Sequence, residues 1–267
     1  AFLDIETDKI DELISEQQKL ITLLKEKRQA VISHAVTKGL DPNVKMKDSG
    51  IEWLGEVPEH WEVLPLKYFA SFSGGGTPSR ENLSYWNGDI PWVSPKDMKS
   101  ERIIGAEECI TEVGLSNSSS SLLPADRVLM VVRSGILQHT IPVAINDVPV
   151  ALNQDMKAIL FKEGSCLSDF FFRWVQGLNS VLLLAWAKQG ATVESIEQAY
   201  LANTVFPLPP IEEQKEIIKF INQQVDMFDE LTAEAVRGIE LLKERRSALI
   251  SAAVTGKIDV RGAAHAQ

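Results

Sequence analysis

Leu23-Leu24-Lys25-Glu26-Lys27-Arg28 and Leu241-Leu242-Lys243-Glu244-Arg245-Arg246 stand 218 residues apart and differ only in Lys27 against Arg245. The offset continues without a gap. Ala30-Val31-Ile32-Ser33-His34-Ala35-Val36-Thr37 falls on Ala248-Leu249-Ile250-Ser251-Ala252-Ala253-Val254-Thr255, and Asp41 falls on Asp259. From Phe2 to Asp41, 19 of 40 positions are identical, so the two ends of the 267-residue chain are copies of one element.

Periodicity makes that element a long helix. In the second copy Ile218, Ile221, Val225, Phe228, Thr232, Ala235, Ile239, Leu242, Arg246, Leu249 and Ala253 follow alternating steps of three and four. In the first, the seam reads Ile10, Leu13, Gln17, Leu20, Leu24, Lys27 and Val31, with Lys19, Lys25 and Glu26 outside it. A stripe of two residues per seven is too narrow to bury a helix in a globular core, so it needs a partner helix along its length. The other copy, packed antiparallel, is the obvious partner, and about 40 residues would make a rod of roughly 60 Å. The same periodicity would suit a coiled coil that serves only dimerisation. Pro207-Leu208-Pro209-Pro210 bars helix before Ile211, and Glu212-Glu213 puts negative charge in the first turn. Thr255-Gly256-Lys257 and Lys38-Gly39 supply glycine stops. The expected division is 1–41 helix, 42–207 a separate domain, 208–258 helix and 259–267 a disordered tail.

Between the helices the pattern changes to short runs and turns. Val128–Val132, Ile141–Ile145 and Ala158–Phe161 read as strands, and Asp169–Ala187 as one apolar helix covering them, which gives an α+β domain. No apolar run reaches the roughly 18 residues of a membrane span, and the N-terminus lacks the pattern of an export signal, so a soluble, cytoplasmic chain is expected. Cys109 and Cys166 read as reduced structural thiols. With four histidines (His34, His60, His139, His265) at no ligand spacing, they make no metal site. The net charge of −10 argues against a simple nucleic-acid coat; residues 42–210 alone carry 13 basic and 19 acidic groups, so any DNA surface must be a local patch.

Four stretches of the middle region could carry chemistry. Phe72-Ser73-Gly74-Gly75-Gly76-Thr77-Pro78-Ser79-Arg80 has glycines that allow close backbone approach and amides that suit phosphate oxygens, or it is a glycine-rich turn with no ligand. Its F-x-G-x-G spacing fits methyltransferases that use S-adenosylmethionine, but no Asp/Asn-Pro-Pro-aromatic sequence accompanies it. Asn82–Lys99 interleaves Tyr85, Trp86 and Trp92 with Asn87, Asp89, Lys96 and Asp97, a composition that suits DNA contact, although tryptophans such as Trp86 and Trp92 are more often core. Arg133-Ser134-Gly135 with Gln138-His139-Thr140 puts an arginine and hydrogen-bonding side chains on a loop. Lys188-Gln189-Gly190-Ala191-Thr192 needs no more than a helix end followed by glycine. There is no Walker A, G-x-S-x-G or H-E-x-x-H sequence. Glu213-Gln214-Lys215 has a nuclease-like E-x-K spacing but reads as solvated charge.

Several motifs together resemble the specificity subunits of type I restriction–modification systems. They are Gly55-Glu56-Val57-Pro58-Glu59-His60-Trp61-Glu62-Val63, Ser73–Ser79, Gly88-Asp89-Ile90-Pro91-Trp92-Val93, Arg133-Ser134-Gly135, Pro207–Lys215, Leu242–Ile250 and Thr255–Asp259. The resemblance implies that 42–207 is a target recognition domain reading one half of a bipartite double-stranded DNA site. The helices would then space such domains and scaffold methyltransferase and restriction/translocase subunits. The chain itself would be non-catalytic and without cofactor, S-adenosylmethionine, ATP and Mg belonging to the partner subunits. Family members usually carry two recognition domains. This chain has one, and it would be the C-terminal half of a full subunit or a natural half-length subunit that forms a homodimer through its helices. DNA contacts are expected from Thr77, Ser79, Arg80, Lys96, Arg133, Ser134, Gln138 and His139. The alternative reading is a coiled-coil protein-interaction module without DNA specificity, favoured by the acidic middle region; an enzyme acting on DNA has little support.

Overall fold

An apolar stripe that narrow can be protected only by a second helix beside it, and the two copies supply one another. A computed structural model describes residues 2–188, 190 and 192–258. They fall into two compact units: residues up to 31 with those from 221 onward, and Ile32–Phe220. In chain order the elements are α1 (Phe2–Lys38), β1 (Met46–Asp48), β2 (Glu56–Pro58), β3 (Glu62–Pro65), β4 (Ala70–Gly74), β5 (Trp86–Val93), β6 (Arg102–Ile103), β7 (Cys109–Ile110), α2 (Glu112–Ser116), β8 (Val128–Val131), β9 (Val143–Asn146), β10 (Ala151–Leu152), β11 (Met156–Phe161), α3 (Ser168–Gly177), α4 (Asn179–Trp186), α5 (Gln198–Asn203), β12 (Val205–Leu208) and α6 (Ile211–Val254). The expected tail, 259–267, lies outside the described residues.

In the first unit α1 and α6 run antiparallel. Arg246 Nε and Nη2 donate to Asp11 Oδ1 and Oδ2 at 2.8 and 3.0 Å, and Arg28 Nε lies 3.5 Å from Asp229 Oδ1. On α6 the protected positions are the expected ones, with Val225, Phe228, Ala235 and Ile239 buried. On α1 the expected seam is corrected. Leu13, Leu20 and Lys27 are exposed, and the sheltered residues up to Val31 are Leu3, Glu6, Thr7, Ile10, Ile14, Gln17, Ile21, Leu24, Arg28 and Val31. Stepping by three-then-four and by four-then-three shares Ile10, Gln17, Leu24 and Val31. Apolar residues occupy both choices at 13/14 and 20/21, so α1 alone does not settle its phase. Each sheltered residue of α1 up to Val31 nevertheless lies 218 positions before a sheltered residue of α6, and within the first unit both copies therefore bury the same face.

The second unit is built on a five-stranded sheet in the order β4-β11-β8-β9-β6. β8, β9 and β11 occupy the expected strand segments, except that Pro142, which has no amide proton to give to a ladder, leaves β9 to begin at Val143. Every residue of β8 is buried. α3 covers the sheet with Phe170, Phe171, Trp174 and Val175, and its rings gather on Phe206 of β12, with centroids 4.8 Å away for Trp174 and 5.7 Å for Phe171. The single helix expected over 169–187 is instead α3 and α4, broken at Leu178. The cause is Asn179, whose carboxamide accepts from Thr140 Oγ1 and Ile141 N at 3.0 Å and donates to Ile141 O at 3.0 Å. Gly177 closes against the end of α1, where a Cβ would stand 3.1 Å from Ile32 Cγ2.

Both helix stops are glycines in the left-handed region, Gly39 at φ +75° and Gly256 at φ +72°. The start of α6 departs from expectation. Gln214, read as solvated, is fully buried: it donates to Pro209 O at 2.8 Å and Ser165 O at 3.1 Å and accepts from Leu167 N at 2.9 Å. Glu213 accepts from Trp61 Nε1 at 3.0 Å and pairs with His60 Nε2 at 2.7 Å. Only Lys215 behaves as expected, on the surface beside Glu212. A buried amide with every partner satisfied is a fixed point, because each lost bond would leave a desolvated polar atom.

The two possible seams of α1 make different stability predictions. Leu24→Asp places a charge in the shared seam and should cost about 3 kcal/mol or more. Leu13→Asp falls on an exposed position and should stay within about 0.5 kcal/mol. Thermal melts followed by circular dichroism decide between them; equal losses would restore the rejected register.

Candidate nucleic-acid interface

The glycine run ends β4 and turns across the backbone at 152–153. A Cβ on Gly75 would overlap the carbonyl oxygens of Leu152 and Asn153, and one on Gly76 would overlap the Ser119 hydroxyl. Gly76 N donates to Leu152 O at 2.9 Å, and Gly76 O accepts from the indole of buried Trp92 at 2.9 Å. The expectation that this run offers free amides to phosphate is therefore corrected at Gly76, whose amide is already committed. Here the missing side chains serve close packing.

What the run presents outward follows from that closure. Thr77, exposed, donates its hydroxyl to Gln154 Oε1. Ser79 is exposed and its carbonyl accepts from Trp86 Nε1 at 3.0 Å. Arg80 stacks on Trp86 with Cζ 3.8 Å from the ring centroid, and its fork engages both carboxylate oxygens of Glu108, Nη2 lying 2.9 Å from Oε2. The hydrogen bonds from Arg80 hold Glu108 below the usual carboxylate range. Arg80 already has an aromatic face and a carboxylate partner within the unit. Lys96 is exposed in a short turn capped by Ser94 and Asp97. Trp86 and Trp92 stand edge to face at 5.2 Å, which makes them chiefly structural.

Arg133 follows β8. Its amide is bonded to Asp155 O, while its exposed guanidinium has no hydrogen-bond or ion-pair partner among the described residues. Ser134 caps the turn Gly135–Gln138, accepting from Ile136 N at 3.5 Å, and Gln138 and His139 emerge exposed at its end. Arg133 shares a cleft of about 570 Å³ with Gln154, Lys157, Lys188, Thr192 and Gln198. Lys188 lies 3.6 Å from Glu197 of the same cleft. Of the stretch 188–192, Gln189 and Ala191 lie outside the described residues.

The expected contacts thus divide. Gln154, which accepts from Thr77, lines the cleft of Arg133, and Ser134 follows Arg133 in sequence. Arg80 and Lys96 both act on Glu108, the first by hydrogen bonds and the second through its charge. Gln154 and Lys157 were not anticipated. Lys157 is the one charged residue of β11, and its ladder partners are Gly74 in β4 and Met130 in β8. Burial pushes its ammonium below the usual lysine range.

Both cysteines are free, and burial pushes the Cys166 thiol far up, so it is no nucleophile. Among the described residues no cluster of His, Cys, Asp or Glu could hold a metal ion, and no helix is long and apolar enough to cross a membrane.

The family model for the type I restriction modification DNA specificity domain matches residues 58–241. The EcoR124I/EcoR124II specificity subunit of Escherichia coli is 36% identical over 202 residues, covering 74% of this chain and 46% of that protein. The MjaIX specificity subunit of Methanocaldococcus jannaschii is 28% identical over 194 residues, covering 72% and 43%. The chain spans about half the length of the curated relatives it matches. Among solved structures, the HsdS subunit from Thermoanaerobacter tengcongensis shares the fold with a TM-score of 0.61 at 16% identity, covering 97% of this chain and 57% of that one. A chain from a type I R-M system gives 0.73 at 15%, covering 95% and 57%.

The packing of the glycine run is directly testable. Gly75→Ala should destabilise the second unit by about 3 kcal/mol, because the methyl must displace backbone rather than a flexible side chain. Chemical denaturation measures it, and a loss under about 0.5 kcal/mol would show that the loop has room to yield.

Proposed function

The chain belongs to the type I restriction–modification DNA specificity family, and on that premise we propose that it is a non-catalytic DNA-reading subunit. Its region 42–207 reads one half of a bipartite double-stranded site, and its helices scaffold methyltransferase and restriction/translocase subunits in the cytoplasm. S-adenosylmethionine, ATP and Mg belong to those partners. The observation that carries the reading is the cleft of Arg133, Gln154 and Lys157. In a region of net negative charge, these two cations lack carboxylate partners among the described residues, and they adjoin an amide that Thr77 holds in place. Phosphate contacts fix register, and amide or guanidinium forks read base edges.

The scaffolding role is supported by leucines that the seam leaves outside. Leu13 and Leu231, at equivalent positions of the two copies, are 50% and 42% exposed, and the equivalent pair Leu23 and Leu241 are both 60% exposed. Repeated outward leucines suit two docking partners of the same kind, or a second copy of this chain related by a twofold axis. A twofold dimer would carry identical readers in opposite senses, and its site would be an inverted repeat.

Selection from a randomised duplex pool, with and without the cognate methyltransferase subunit, tests the reading. Enrichment of a short motif is expected; enrichment of none would favour the protein-interaction module. Arg133→Ala should relax the enriched motif at one position, since a bidentate arginine–guanine contact is worth about 1–3 kcal/mol of discrimination. An unchanged motif and unchanged affinity in a competition assay would assign Arg133 to structure.

A further inference from the structure

Lys157 is a charge that folding leaves partly buried and poorly served. It stands in β11 between Met156 and Ala158, both fully buried, and is itself partly buried. The residue opposite it in β4 is Gly74, and a Cβ built there would lie 3.9 Å from Lys157 Nζ. The ammonium therefore passes beside a position that offers no side chain. No hydrogen bond or ion pair engages Nζ among the described residues. Several other lysines of the same unit find oxygens, Lys45 on Glu59, Lys47 on Trp61 O and Lys67 on Asn203, whereas Lys96, Lys162 and Lys219 are exposed to water. The carboxylate lining the cleft, Glu197, lies beside Lys188.

A cation drawn from water with no compensating anion is unfavourable, and a leucine or methionine would fit a strand between two buried residues without that cost. Arg133 lines the same cleft, also without a partner among the described residues, and the one carboxylate there, Glu197, lies beside Lys188, so the lining carries three cations against one anion. Such an arrangement is completed by an anion, and a phosphodiester oxygen is the anion that a DNA-reading surface meets first.

We propose that Lys157 seats one phosphate of the DNA backbone, setting the register in which Arg133 and the other side chains of the cleft meet the bases. This rests on the DNA-recognition reading. Gly74 belongs to the device, because a side chain there would cover the seat. Lys157 fixes position and leaves sequence preference to others.

The test uses the full chain as wild type, Lys157→Met and Lys157→Arg. Binding is read by fluorescence anisotropy on the duplex enriched from the random pool and on its scrambled counterpart, across a KCl series. Lys157→Met should weaken both duplexes by the same factor, roughly five-fold at 0.15 M salt, and make the salt slope shallower by about one unit. Lys157→Arg should restore both. The melting temperature of free Lys157→Met should equal or exceed that of wild type, because an uncompensated charge has gone. An unchanged slope overturns the proposal, as does a loss confined to the enriched duplex, which would mean a base contact. A lower melting temperature overturns it too, by making the lysine structural. So does inorganic phosphate stabilising wild type as much as duplex does, which would make the cleft a free-anion site. If wild type binds and selects but Lys157→Met is indistinguishable from it, only the proposal falls. If wild type binds neither duplex, the DNA reading falls with it.

Discussion

A helix whose apolar stripe covers two residues in seven cannot bury that stripe against itself, and this constraint organises the chain. The stripe occurs twice, at the two ends, and the copies shelter one another by running antiparallel, tied at Arg246–Asp11 and Arg28–Asp229. The partner of each helix is thus about 200 residues away in sequence. Folding of the first unit must close a very long loop, at an entropic cost that grows only with the logarithm of loop length. A compact second unit inside the loop lowers that cost by removing most of its freedom.

The first turn of α6 serves the second unit before the helix reaches the first. Gln214 has a buried carboxamide satisfied by Pro209, Ser165 and Leu167, and Glu213 takes the indole proton of Trp61. These bonds explain two separated motifs at once. The Pro-Glu-His-Trp turn at 58–61 and the Pro-Pro-Ile-Glu-Glu-Gln run at 209–214 are the two sides of one junction. Neither makes sense without the other, which is why each alone reads as an ordinary polar stretch.

What the sequence made legible follows from periodicity and repetition, which are local or one-dimensional. The strands at 128–131, 143–146 and 156–161, the glycine stops and the whole seam of α6 were readable that way. The α1 seam was misread at Leu13, Leu20 and Lys27 although the repeat contained the answer, since subtracting 218 from Thr232, Ile239 and Arg246 gives Ile14, Ile21 and Arg28. The remaining departures depend on contacts between distant residues. The break at Leu178 is made by Asn179 reaching residues 140 and 141, and composition carries no trace of it. The glycine run suggested a ligand because glycine permits close approach of any atom, and here the approaching atoms are backbone oxygens of 152 and 153. Of the contact residues expected from the sequence, Arg80 proves to be held by Glu108 and Trp86. Lys157 gave no sign, because a lysine in an apolar strand becomes unusual only when its neighbours are known to lack a carboxylate.

The acidic balance of the chain bears on how such a protein could be selective for its site. Non-specific attraction to DNA comes from phosphates alone and rises with every free cation, so a uniformly basic surface binds all sequences and gains little discrimination. Here several cations are neutralised by carboxylates within the unit: Arg80 by Glu108, Arg102 by Asp147 and Asp169, Lys99 by Glu107. Among the cations without a carboxylate partner, Arg133 and Lys157 share one cleft. On the proposed DNA reading, the acidic charge elsewhere would repel a duplex presented in the wrong orientation, while the cleft would reward the one placement that brings a phosphate to it. Under that balance most of the available binding energy depends on correct placement, which is the condition under which a few base contacts can decide the sequence.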